Sequence, residues 1–90
     1  MTMTKSAFQK MFHDTVKKGF ANIEFVGVDG KIRRRKATHD VSLMGDDGET
    51  VGTPERNPEI TKYFDIGKDA WRCFRTENIR SVNGTKITIE

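Results

Sequence analysis

Lys31, Arg33, Arg34, Arg35 and Lys36 put five cations into six residues, the densest chemistry in the chain. Guanidinium forks match phosphate oxygens, and cations spaced along an extended backbone hold a nucleic-acid strand without regard to its sequence. In a strand, Arg33 and Arg35 project to one face and Arg34 and Lys36 to the other. The same run equally suits an edge strand kept charged so that it does not pair with another copy. A second group is Trp71, Arg72, Phe74 and Arg75. Aromatic rings beside arginines can stack bases and clamp phosphates. The plainer role for the rings is packing, with Phe74 in the core and Trp71 under the N-terminal helix or in a subunit interface. Arg72 and Arg75 then remain the better ligand contacts of that group.

Other chemistries find little support. No nucleophile–base pair, phosphate-binding glycine loop or dinucleotide fingerprint occurs, so no catalysis and no cofactor are expected. His13, His39 and Cys73 lack the close pairing of zinc ligands. His13 is expected on the helix surface and Cys73 as a small buried side chain. Residues 45–49 (GDDGE) lack the alternating oxygen ligands and distant bidentate glutamate of a calcium loop. They read as a solvated acidic segment.

The elements that must position the basic residues are short. Residues 5–18 predict a helix, because Phe8, Met11, Phe12 and Val16 form one apolar stripe. Ser6 and Gln9 offer a capping box, with Thr4 as a competing cap, and Gly19 is a natural stop after Lys17 and Lys18. Residues 20–28 and 31–38 predict a hairpin across Asp29-Gly30. Its second strand carries charge on both faces, which suits an exposed or edge position. Residues 39–58 read as a long mobile loop, broken by glycines and prolines. Residues 59–66 and 70–76 predict a second hairpin across Gly67-Lys68-Asp69, and Asn83-Gly84 a third turn. Arg33 is placed to pair with Asp65 or Glu24 across the sheet.

Ninety residues hold one domain, which buries only roughly 60% of its extended surface. Apolar residues make up 34% and charged residues 32%, enough for one modest core that self-association would complete. The balance of 16 lysines and arginines against 13 acids gives +3, milder than most nucleic-acid binders. A lone cysteine suits a reducing compartment, and the N-terminal residues hold no apolar run for a signal or a membrane span. A cytoplasmic protein is expected. Short strands, one long loop and one helix together predict a mainly β (α+β) fold: a small SH3-like or Sm-like five-stranded barrel spanning residues 20–90, with one N-terminal helix.

The run Trp71-Arg72-x-Phe74-Arg75-x-x-x-Ile79, preceded by an aromatic–Asp strand and a short turn, resembles the C-terminal signature of WYL-type domains. With DGKIRRRKAT before it, the chain is similar over residues 6–82 to the small phage and prophage WYL-like family with an Sm-like SH3 barrel. The resemblance implies phage or prophage origin. In larger WYL proteins, basic residues near the signature are associated with nucleotide or nucleic-acid ligands, but those proteins carry a DNA-binding domain that is lacking here. The expected function is therefore a non-catalytic accessory protein that binds nucleic acid or a nucleotide phosphate through its basic residues. The alternatives are a module docking on a host or phage protein, and a sensor of a small phosphorylated ligand.

Overall fold

The computed structural model describes residues 1–44 and 57–90. Most of the expected mobile loop, 39–58, therefore lies outside the described residues. Helix α1 spans Lys5–Val16 and buries Phe8, Phe12 and Val16. Its cap is Thr4, whose Oγ1 accepts the Ala7 N–H at 3.1 Å. The Ser6–Gln9 capping box does not form, because the Gln9 amide instead donates to the carbonyls of Asn57 (3.0 Å) and Ile60 (2.8 Å). The helix stops at Val16, two residues before the predicted end, and Gly19 follows at φ +112.

The strands are β1 (Thr2–Met3), β2 (Phe20–Val26), β3 (Ile32–Thr38), β4 (Ile60–Asp65), β5 (Ala70–Arg75), β6 (Ile79–Val82), β7 (Thr85–Lys86) and β8 (Thr88–Ile89). Six of them form one antiparallel sheet in the order β5-β4-β3-β2-β6-β7, while β1 and β8 pair in parallel apart from it. The main sheet thus has six strands where five were expected, and no pairing closes β5 onto β7 among the described residues. It is nevertheless strongly curled. Three strand spacings separate β2 from β5, about 14 Å in a flat sheet. Yet Phe25 and Phe74 stack with centroids 4.8 Å apart.

The concave face and α1 enclose the core. Ala21, Ile23 and Phe25 alternate inward from β2 and meet Tyr63, Phe74, Ile79, Val82 and Ile87. A register shift at Glu24/Phe25 lets both Ile79 and Val82 face inward from β6. The β2–β3 connection is longer than the predicted two-residue turn. Gly30, at φ +82, donates its N–H to the Gly27 carbonyl at 2.9 Å, leaving Val28, Asp29 and Gly30 in the loop. Asn83 and Gly84 (φ +50 and +82) do form the two-residue turn predicted between β6 and β7. Beyond it, the Thr88 N–H reaches the Met1 carbonyl at 2.7 Å and the Glu90 N–H reaches that of Met3 at 3.0 Å, fixing β8 to β1.

Candidate phosphate-binding surface

β3 is an interior strand in the sheet order, contrary to the expected edge position. Its charge is tolerated because β4 covers only its end. The ladder joins Ala37 to Asp65 and Thr38 to Phe64, and Ile66 adds one bond to the Lys36 carbonyl. From Ile32 to Arg35 the strand has, among the described residues, β2 alone beside it, so its side chains still reach water.

The alternation of β3 divides the basic run into two sets. Arg33 and Arg35 lie on the concave side, opposite Phe25 and Ile23 of β2. Arg33 reaches back to Asp29, Nη2 to Oδ2 at 2.6 Å. It pairs with neither Asp65 nor Glu24. Gly27 permits this course, since a Cβ there would lie 3.2 Å from Arg33 Nε. Arg35 is the residue that finds Asp65, with Nε 3.4 Å from Oδ2, and Arg72 approaches the same oxygen from β5 at 3.7 Å. Asp65 is 1% exposed, and its other oxygen accepts the Lys68 N–H at 3.1 Å. Burial, reinforced by the Asp65 charge, pushes the neighbouring Tyr63 hydroxyl up to about 12. Two guanidiniums, one carboxylate and one neutral phenol thus form a cluster of net charge +1, in which Arg35 and Arg72 share one buried carboxylate.

Arg34 and Lys36 lie on the convex side and are exposed. Arg34 pairs with Glu24, Nε to Oε2 at 2.9 Å, while Lys36 Nζ sits 5.4 Å from the centroid of the exposed Phe20 ring. The register continues this row across β2 and β6, from Arg34 through Glu24 and Ser81 to Lys86. A shallow depression of about 340 Å³ lies among Asn22, Glu24, Arg34, Lys36, Ser81 and Gly84. Phe20 and Lys86 escaped the sequence reading. Lys86 occupies a two-residue strand with no local periodicity, and only the β6–β7 register brings it to this face. Lys31 is exposed beside the β2–β3 loop, away from the row.

The second predicted group separates as well. Phe74 is core, as expected. Trp71 packs edge-on against Phe64 (5.8 Å) and stacks near His39 (6.1 Å), whose ring in turn meets Phe12 of α1 (5.4 Å). Its Nε1 is buried with no hydrogen-bond partner among the described residues. Arg75 projects outward on β5, and Cys73, expected to be buried, is exposed there. β5 ends the sheet, so nothing described covers Cys73.

His13 does not sit on the open helix surface. Its Nδ1 lies 2.7 Å from Nδ1 of His39, whose Nε2 lies 2.8 Å from the Lys62 carbonyl. A carbonyl only accepts, so neutral His39 carries its proton on Nε2 and offers a bare Nδ1 to the His13 N–H. Burial lowers the His39 pKa; the Lys62 carbonyl opposes the shift and the His13 charge adds to it. A folded value below the ordinary 6.5 means that the unfolded chain binds the proton more tightly. Stability is therefore full above pH 6.5 and declines as pH falls from there through the lowered value. Melting temperatures measured between pH 8 and pH 5 should fall along this window. His39→Phe, which keeps the ring packing, should flatten the decline. An equal slope in the variant would locate the pH dependence elsewhere.

A curled antiparallel sheet with one helix across its open side defines a small barrel-type domain. The family model for WYL_2, Sm-like SH3 beta-barrel fold, matches residues 9–80, and the chain belongs to that family. It is also 32% identical over 89 residues to the "Uncharacterized 11.5 kDa protein in Gp31-cd intergenic region" of Enterobacteria phage T4, covering 96% of this chain and 87% of that protein. No solved structure matches. No described helix is long and apolar enough to cross a membrane.

Proposed function

We propose that this is a non-catalytic phage accessory protein that binds single-stranded nucleic acid through phosphates on the convex sheet face. The observation that carries this reading is the sharing of one exposed face by Arg34, Lys36 and Lys86, of which Arg34 and Lys36 line a shallow depression and Lys36 sits over the exposed Phe20. Cations spaced across neighbouring strands match a backbone that crosses the sheet, and Phe20 offers a ring on which a base can stack. Arg35 and Arg72, which share the buried Asp65, contribute less. So does Arg33, 41% exposed and held by Asp29, whereas Arg34, though paired with Glu24, keeps its side chain 79% exposed.

Fluorescence anisotropy with mixed-sequence RNA and DNA oligonucleotides over a range of salt tests this. Affinity should fall linearly with log salt, by about 0.7 log units per phosphate contact for single strands. Changing Arg34, Lys36 and Lys86 together to Gln should reduce that slope by roughly two units, while Arg33→Gln leaves it nearly unchanged. Absence of binding at low salt, or undiminished binding by a triple variant that still melts cooperatively, would reject the reading.

A further inference from the structure

The two ends of the main sheet differ. At one end, β7 has two residues, and the chain turns from it at once into β8. At the other, β5 is six residues long and pairs with β4 at every position, from Asp65↔Ala70 to Ile60↔Arg75, with no shift of register. Its sequence, AWRCFR, has no proline. Among the described residues no strand lies on its far side. A straight edge of this length presents a row of backbone donors and acceptors ready to pair with another chain, and proteins ordinarily blunt it with proline, a bulge, brevity or charge. Here only charge is used, in the exposed Arg72 and Arg75.

Charge blunts an edge selectively. Two copies of β5 would bring four guanidiniums to one short ladder that contains no carboxylate, so self-pairing is opposed. Toward an acidic strand the same residues attract. We propose that β5 is a docking strand for an extended acidic segment of another protein, which adds to the sheet beyond β5.

The geometry also sets the spacing of the acids. Arg72 shares the concave side with Phe74, and Arg75 shares the convex side with Trp71 and Cys73. A strand laid along β5 meets the two arginines with residues three apart, which point to opposite faces. The matching pattern is acid-x-x-acid in extended conformation, with small or β-branched residues between to lie beside Cys73 and Phe74. Two acids in an acid-x-acid pattern share one face and can meet only one arginine. Arg72 has a partner to exchange, since its Nε is 3.7 Å from Asp65 and its side chain is 49% exposed. Arg75 has no ion pair among the described residues.

Short threonine–valine peptides test this, carrying glutamates in E-x-x-E or E-x-E spacing, or lysines in place of the glutamates. Each is titrated into the full chain with amide hydrogen exchange read at each residue. The E-x-x-E peptide should bind best and slow exchange across Ala70–Arg75, while the lysine peptide does not bind. Arg75→Glu, an exposed change that leaves Asp65 with both its arginines, should weaken the E-x-x-E peptide by about tenfold and improve the lysine peptide. Failure of the E-x-x-E peptide to bind, equal binding of E-x-E, or protection at another strand would overturn the proposal. So would a protein that dimerises with β5 protected, or an oligonucleotide that protects β5 in place of the peptide. Loss of oligonucleotide binding in the convex-face variant would leave the peptide result unchanged, so the two readings fail separately.

Discussion

Asp65→Asn should lower the free energy of unfolding by about 3 kcal/mol, the low end of the range for breaking a buried ion pair. Asparagine keeps the shape and can still accept the Lys68 N–H, so the loss is that of the charge. Arg35, with a side chain 26% exposed, would remain largely buried without a counter-ion, whereas the half-exposed Arg72 can turn to water. The penalty falls mainly on Arg35, so Arg35→Met in the Asp65→Asn background should recover part of the loss. By contrast, Arg34→Gln removes a surface pair and should cost no more than about 1 kcal/mol. Urea unfolding of the four proteins separates these outcomes. A difference below about 1 kcal/mol between Asp65→Asn and the natural chain would mean that Asp65 is not what holds Arg35 inside.

Phe12→Ala should be more damaging still, at about 3–5 kcal/mol. Its ring is fully buried, stacks on Phe8 at 5.7 Å, and meets His39 edge-on at 5.4 Å. Phe8 in turn touches Phe74 at 6.4 Å, which stacks on Phe25. Truncating Phe12 opens a hole between helix and sheet at the point where the helix is anchored. Small domains have only about 5–15 kcal/mol in total, so the variant should be largely unfolded well below the melting temperature of the natural chain. Met11→Ala, at a position only partly buried, should leave a cooperative transition. A Phe12→Ala protein with an unchanged thermal transition would show that α1 contributes little to the core.

The helix was legible because its buried residues repeat at helical spacing, and the last turn because Asn-Gly has few other uses. The faces of β3 were not. Its two apolar residues have opposite parity: Ile32 is 50% exposed and Ala37 fully buried. Alternation alone therefore could not say which arginines turn inward. Only pairing with Ile23 and Phe25 settles that Arg33 and Arg35 do. Asp65 was expected in the 59–66 strand as one of two possible partners of Arg33, and its burial depends on other arginines, thirty residues before it and seven after. The His13–His39 contact spans 26 residues and leaves no local trace. Past Lys31 the basic run does form one strand, β3, as its alternation allowed. What the sequence could not reveal was its division into a half-buried inner set and an exposed outer one.

The pairing of β1 with β8 bears on the timing of folding. Thr2 meets Thr88 and Met3 meets Ile89, so the first strand to be synthesised finds its partner in the last. In a chain made from residue 1 onward, α1 emerges early with Phe8, Phe12 and Val16 uncovered, and waits for Ile79, Val82 and Ile87. Contacts of such long sequence separation form slowly, and an apolar helix without its sheet is exposed to aggregation in the interval. On the ribosome the nascent domain would thus stay unlatched until β8 emerges. A permuted gene that joins β8 to β1 through a short linker and opens the chain between α1 and β2 would make that latch first.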